Sequence, residues 1–363
     1  MLTEMSSRFS RRSFLGGALA AGALGATASG QKPMNKLGLD LFSLRSQGWS
    51  AFELLDFAAK NGATMAHFSE PRFLGSTDPA HLEKVRAHAD RLGLDLEVGF
   101  GSICPTSTRF NAADGTPREQ LLKMLDVAKR MRSPIVRCYL GSSLDRQGEV
   151  PFEQHIENTI ASCRSVRSEF LDAGVKIAVE NHAGDMQALQ LRGLVEEAGK
   201  DYVGALLDPG NATWTLEDPH HTLEILAPVA LTTGIRDSRV WATEQGANVM
   251  WVPFGEGNID IVAWRKRLGE LRPDLPFSLE IINLRSPRPF NYRDPAFWDD
   301  YRDVPAWVFR KFATLAENGK PYQAPQPPVT READKARFEE WTAKQEREDV
   351  AHDLRFSREK LGL

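Results

Sequence analysis

The chain of 363 residues is poor in cysteine, with only three: Cys104, Cys138 and Cys163. Three thiols cannot all pair and none shows CxxC spacing, which excludes a disulfide scaffold and a cysteine metal site. They read as core or helix-face thiols. Basic residues are not in excess: 45 Lys+Arg stand against 49 Asp+Glu, for a net charge of −4 and a pI of about 6.1. No surplus exists to neutralise a phosphate backbone, so nucleic acid is not an expected partner. Beyond residue 28 no apolar run approaches the ~20 residues of a membrane span, so no membrane span is expected in the mature chain. No GxGxxG follows the first apolar run, which weighs against a dinucleotide-binding open sheet. What is there is ordinary: 42% hydrophobic residues, 26% charged, 28 Gly and 21 Pro. That composition is globular, and the length suits one large domain or two ordinary ones with their own core.

Residues 8–28 read RFSRRSFLGGALAAGALGATA. A basic start is followed by a Gly/Ala/Leu run that ends in a small-x-small site at Ala26-Thr27-Ala28. Ser10-Arg11-Arg12-Ser13-Phe14-Leu15 resembles the twin-arginine export motif. The resemblance implies a signal peptide over residues 1–28, a partner in the twin-arginine export machinery, and a mature protein in the periplasm or cell envelope. That route carries folded proteins, which accords with few cysteines. Residues 29–35 read as a linker.

From residue 36 the chain alternates. Short apolar runs occupy 37–43 (LGLDLFS), 64–70 (TMAHFSE), 94–100 (LDLEVGF), 134–140 (PIVRCYL), 175–180 (VKIAVE), 202–208 (YVGALLD), 229–236 (VALTTGIR) and 277–282 (FSLEII). Amphipathic patterns lie between them, at 51–61, 80–92, 118–130, 152–173, 188–199 and 259–271. Eight uninterrupted βα units predict an α/β fold, a (β/α)8 TIM barrel over residues 36–320. A proline-rich stretch (321–328, PYQAPQPP) and a charged helical tail follow, together residues 321–363. Two readings of the tail are open: a solvated helix packed by Phe338, Trp341 and Leu354, or a lid or dimer arm, the latter allowing a homo-oligomer.

In such a barrel the active site lies at the carboxyl ends of the strands. Acids close several runs there: Glu180 the fifth, Asp208 the sixth, Glu280 the eighth. Glu280 inside FSLEII is buried on either face of a covered strand, and a lone buried carboxylate is costly unless paired or bound to metal. Three carboxylates at one mouth need a cation. An oxygen-rich set suits a divalent ion such as Mg²⁺ or Mn²⁺; the alternative is separate ion pairs with Arg45, Arg137 and Arg236. Two carboxylates also suit proton transfer beside a carbonyl.

Val179-Glu180-Asn181-His182, Leu207-Asp208-Pro209-Gly210-Asn211, Arg236-Asp237-Ser238, Gly255-Glu256-Gly257-Asn258-Ile259-Asp260 and Leu279-Glu280 together resemble the xylose isomerase-like TIM barrel superfamily, the sugar phosphate isomerases/epimerases, over roughly residues 36–316. The resemblance implies that Glu180, Asp208 and Glu280 bind a divalent metal (Mn, Mg, Co or Zn), with Glu180 and Glu280 as the acid–base pair and His182 facing substrate. The sequence departs at one point. The family's histidine stands three residues before the Asp of an H-x-x-D pattern; here the Asp is Asp237 and position 234 is glycine. Either another group (His182, Asp237 or water) fills the gap, or metal binding is weak or absent. Arg45, Arg137, Asn211, Arg236 and Asp237 are further candidates for substrate contact, as are His67 and Glu70. Trp214, Trp241, Trp251 and Phe254 offer faces for sugar C–H stacking, and residues 237–257 read as a long substrate-covering loop.

The leading expectation is a sugar or keto-sugar isomerase/epimerase acting on a small carbohydrate. A lyase or hydratase acting on 3-keto-glycosides uses the same base. A non-catalytic carbohydrate-binding barrel with a degenerate metal site is the reading from another class, carried by Gly234.

Overall fold

The computed structural model describes residues 36–363; the export motif and signal peptide lie outside the described residues. Eight parallel strands form the barrel: β1 (Leu37–Asp40), β2 (Met65–Phe68), β3 (Asp95–Ser102), β4 (Ile135–Tyr139), β5 (Lys176–Glu180), β6 (Val203–Leu207), β7 (Ala230–Thr233) and, after a hairpin, β10 (Phe277–Leu279). The sheet runs from β10 through β1 to β7 in order. A parallel bridge between Ile235 and Leu279 brings its two ends together. Ile235 N donates to Ser278 O at 2.6 Å and Glu280 N to Ile235 O at 3.0 Å. This closure sets the last turn before Arg236 beside Glu280.

The strands are buried almost throughout, as a parallel sheet covered by helices requires. The covering helices are α1 (Ala51–Lys60), α2 (Pro79–Leu92), α3 (Pro117–Met131), α4 (Phe152–Arg164), α5 (Arg167–Ala173), α6 (Ala188–Ala198), the single turn α7 (Pro209–Ala212), α8 (Pro219–Leu226) and α9 (Ile261–Leu271). Local chemistry starts and stops them. Ser50 with Glu53, and Thr116 with Glu119, form capping boxes, each satisfying two orphan amides. Gly93 ends α2 at φ 71°, in the left-handed region that glycine enters without a Cβ clash.

Three sequence expectations change here. The run 37–43 is not all strand: it stops at Asp40, whose carboxylate accepts from Phe42 N at 2.9 Å and starts a 3-10 turn over Leu41–Leu44. The pattern at 152–173 is two helices, not one. Ser165 Oγ donates back to Ser162 O at 2.7 Å, a competitor for helical hydrogen bonding. The segment 237–257 is not a loop: β8 (Asp237–Ala242) and β9 (Ala247–Val252) pair as an antiparallel hairpin, joined by β11 (Arg288–Phe290). Its inner face packs Val240, Val249 and Phe290 on Phe312 of α10 (Ala306–Glu317).

The charged tail forms α11 (Lys335–Leu361). Val350 and Leu354 are buried in the main core. Its polar face meets the loop after β1: Ser46 Oγ donates to Glu346 Oε1 at 2.8 Å and Gln47 Nε2 to Ala343 O at 2.8 Å. Phe254 N donates to Asp353 Oδ1 at 3.0 Å. The helix therefore lies against loops on the carboxyl-terminal side of the strands. Among the described residues no helix is long and apolar enough to cross a membrane. All three cysteines are free and buried.

Candidate active site

The barrel mouth gathers acids from four strands. Glu180 ends β5, Asp208 follows β6, Glu280 follows β10, and Asp40 ends β1. One oxygen from each of Glu180, Asp208 and Glu280 lies within 4.8 Å of the others, and all three residues are buried. Two arginines sit among them. Arg137 on β4 donates through Nε to Glu180 Oε2 at 2.6 Å and through Nη1 to Phe100 O at 3.1 Å. Arg236 pairs with Glu280, lies 2.7 Å from Asp208 Oδ2 and stands 3.9 Å from Glu180 Oε1, all through Nη2. The contact with Asp208 is off the N–H direction, so Oδ2 is left without a hydrogen bond.

The remaining polar atoms fix these groups. Asn211 Nδ2 donates to Glu180 Oε1 at 2.8 Å. Asn181 clasps Asp208, its Oδ1 accepting from Asp208 N at 2.8 Å and its Nδ2 donating to Asp208 O at 2.7 Å. Asp208 Oδ1 accepts from Gly210 N (2.7 Å) and Asn211 N (3.0 Å), capping α7. That leaves Oδ2 for the centre of the mouth.

Charge balance shapes the titration. Burial pushes Asp208 well above the usual carboxylate range; Arg236 pulls it down, and Glu180 and Glu280 push it back up. Asp40 is raised in the same way by burial and by Glu280, against a 2.6 Å hydrogen bond from Ser69 Oγ. Burial works against the charge on Arg137, but Glu180 and Glu280 more than offset it and its pKa is raised. Arg236 behaves alike, held charged by Asp208, Glu280 and Glu180 despite burial.

His182 lies at the rim. Its Nδ1 is 2.7 Å from Gly141 O. A carbonyl only accepts, so Nδ1 carries the proton and Nε2 is an acceptor. Its ring stacks on Tyr139 at 4.1 Å. Burial and Arg137 push its pKa down to about 3, so the ring is neutral. His67 is also pushed to about 3 by burial and Arg137, with Nδ1 3.5 Å from Asp40 Oδ2.

Other expected residues have their direct partners outside the three acids. Asp237 turns away from the acids: its carboxylate accepts from Gly255 N (3.0 Å), Gly257 N (3.2 Å) and Ser238 N (2.7 Å), tying the hairpin to the loop that follows. Glu70 pairs with Arg72 at 2.5 Å on a partly exposed turn. Arg45 lies 3.5 Å from Glu346 of α11 and lines a cavity of about 220 Å³ with Ile281, Asn283 and Arg285, roofed by Phe338 and Trp341. The four aromatics do not form one platform. Trp214 stacks on Trp251 at 4.5 Å, and the Arg236 guanidinium lies over Trp251 at 4.4 Å. Trp241 packs with Met250 and Val252, and Phe254 packs edge-on against Phe277 and Phe356.

Asp40 escaped the sequence reading, although it is an acid inside an apolar run just as Glu280 is; the same burial argument picks it out. Tyr139 and the role of Gly210 left no comparable signal.

A barrel whose mouth holds converging carboxylates defines a class, and comparison with known proteins gives the family. The profile of the xylose isomerase-like TIM barrel family matches residues 55–299, and the chain belongs to that family. It is 25% identical over 201 residues to 3-oxo-isoapionate decarboxylase of Pectobacterium atrosepticum, a match covering 55% of this chain and 64% of that protein. The chain thus spans under two thirds of that relative's length. Among solved structures, D-psicose 3-epimerase in the presence of D-fructose aligns over 90% of this chain and 100% of its own, at 13% identity and a TM-score of 0.58. The IOLI protein with a binding zinc atom aligns over 77% and 96%, at 15% identity and a TM-score of 0.52. These last two likenesses are of fold. Members of the family are sugar epimerases, isomerases and lyases.

Glu180, Asp208 and Glu280 are by residue type a set that a divalent ion accepts. As arranged here they do not fit one, because a guanidinium nitrogen already lies between Asp208 and Glu280, where an ion would sit.

Proposed function

We propose that this chain is a carbohydrate isomerase or epimerase that moves a proton on the carbon beside a carbonyl, with Glu180 and Glu280 as the acid–base pair. The observation that carries the reading is the meeting of these two carboxylates, a hundred residues apart, with oxygens within 4.8 Å of each other. One carboxylate takes the proton from carbon. The C–H electron pair becomes the C=C bond of an enediolate, and the former carbonyl oxygen takes the negative charge. The guanidinium groups of Arg137 and Arg236 are placed to hold that charge, a preorganised electrostatic role. The second carboxyl returns a proton to carbon. Asp208, which has an oxygen within 4.8 Å of both glutamates and whose carboxyl is raised by burial, is the neighbouring acid that can refill it. His182 Nε2 is free to accept from a substrate hydroxyl. No step above uses a divalent ion.

The test is exchange of the carbon-bound proton with solvent in D2O, followed by NMR over a panel of ketoses and keto-glycosides. The expected result is deuterium incorporation with at least one of them, lost by ~10²–10⁴-fold in Glu280→Gln and in Glu180→Gln. Full exchange in either variant would end the assignment.

A second reading shares the first step: a lyase in which the enediolate expels a leaving group instead of regaining a proton. The similarity to a decarboxylase supports it. Release of an aglycone or of carbon dioxide, with no deuterium in recovered substrate, would select it. We also propose that the chain is exported to the periplasm by the twin-arginine route. Cell fractionation of the wild type and of an Arg11→Lys/Arg12→Lys variant tests this, the variant being expected to stay inside.

A further inference from the structure

We infer that Arg236 is the resident cation of this mouth, standing where a divalent ion would otherwise be needed, so that the chain's proton chemistry is independent of metal. The inference rests on the function proposed above for its meaning, but not for its test.

Three observations carry it. The first is position. Nη2 of Arg236 is paired with Glu280, is 2.7 Å from Asp208 Oδ2 and is 3.9 Å from Glu180 Oε1. One nitrogen thus faces all three acids of the only such group among the described residues. A dication brought to the same spot would meet a buried positive charge at contact distance, and at that range like charges repel strongly in a poorly solvated site.

The second is that the arginine's place is built. A Cβ on Gly210 would lie 2.0 Å from Arg236 Cγ, so only glycine lets the arginine stem pass. Trp251 covers the guanidinium face at 4.4 Å and is itself anchored by its Nε1 donating to Gly210 O at 3.1 Å. Trp214 stacks behind Trp251, and Arg288 lies over Trp214 at 4.8 Å. Arg236 is 4% exposed. A side chain wedged in this way is not a mobile surface arginine that moves aside.

The third is the glycine at position 234. A Cβ there would lie 3.0 Å from Leu206 Cδ2, which must give slightly, and 3.6 Å from Glu280 Oε2 and 3.9 Å from Asp208 Oδ2. The position is within reach of the site, yet it carries no imidazole. In this chain the two positions act in one direction: Gly234 offers the acids no coordinating nitrogen, and Arg236 offers them a covalently attached charge. A guanidinium also donates hydrogen bonds in a planar fork, so it can hold an enediolate oxygen as well as balance the acids.

The experiment uses the full-length protein. Wild type is dialysed against EDTA, assayed for metals by elemental analysis, and titrated with MnCl2 and ZnCl2 by calorimetry and thermal melting. The expected result is no stoichiometric metal, no binding heat and no shift in Tm. The Gly234→His/Arg236→Ser double variant receives the same titrations. It is expected to bind one ion per chain, with a Tm rise of about 5 °C at saturation. Two results would overturn the inference: one equivalent of Mn²⁺ or Zn²⁺ bound by the wild type with a raised Tm, or a folded double variant that binds neither ion. The outcomes separate from those of the proposed function. A wild type that binds metal and exchanges protons keeps the function and loses Arg236 as its cation. A wild type that binds none and exchanges with no keto-sugar loses the function and keeps the cation.

Discussion

Glu97 on β3 is a buried acid whose partner is a single hydroxyl, Thr232 Oγ1, which donates to it at 2.8 Å. Burial pushes its pKa up to about 7, from 4.5. Between those values the folded chain holds a proton that the unfolded chain has lost, so stability falls as pH rises across that window and is flat above it. Glu97→Gln keeps an acceptor for Thr232 and removes the charge. It should gain up to about 3 kcal/mol over wild type at pH 8, and nothing near pH 4. Urea unfolding at the two pH values checks this; an equal difference at both would refute it. Gly210 makes a second residue-scale case. Gly210→Ala drives the Arg236 stem out of its slot, and a displacement of about 1 Å at a reacting centre costs on the order of 10²-fold in rate. The expected outcome is a loss of that size in D2O exchange with the circular dichroism spectrum unchanged.

At the scale of elements, the C-terminal helix is the part whose role the sequence left open between a solvated helix and a lid or arm. Its apolar residues Val350 and Leu354 enter the barrel's main core. Its acids Glu346 and Asp353 take hydrogen bonds from Ser46 and Phe254 on loops at the strands' carboxyl-terminal side. Leu354→Ala should cost about 2–5 kcal/mol, as large-to-small changes in a packed core do, seen as a lowered urea midpoint. A cost under 0.5 kcal/mol would make the helix an appendage. Element boundaries were legible where capping residues mark them, as at Ser50 and Thr116. They were not legible where the hydrophobic pattern runs on past a local competitor. Asp40 stops a strand inside LGLDLFS, and Ser165 divides a helical pattern that is periodic on both sides. The hairpin at 237–252 alternates polar and apolar residues weakly, and what makes it a sheet is the distant partner strand Arg288–Phe290.

At the scale of the whole described unit, eight strands set the mouth's electrostatics together, and its histidines report on them. His67 and His182 have pKa values near 3 against 6.5. The unfolded chain therefore binds protons at pH values where the folded chain does not. The stability these rings contribute is present above pH 6.5 and is lost as pH falls toward 3. This runs opposite to Glu97; the windows overlap between pH 4.5 and pH 6.5, where two rings outweigh one carboxyl, so unfolding free energy should rise to about pH 6.5 and fall slightly from there to about pH 7. His67→Gln and His182→Gln should each flatten the acid limb in urea unfolding measured from pH 7 to pH 4; a limb as steep as wild type in both would count against neutral rings at these positions.

By itself the sequence determined the barrel and the three acids of its mouth. A period of 27 to 44 residues between apolar runs is a local property, repeated eight times, and an acid inside a buried strand announces itself wherever the strand goes. Which cation meets those acids was decided only in three dimensions. Arg236, Arg137 and Arg45 read alike along the chain. The structure sends Arg137 to Glu180, Arg45 to Glu346, and Arg236 to the centre. The reason is steric and non-local: a glycine after the sixth strand clears the path, and an indole from the hairpin closes over it.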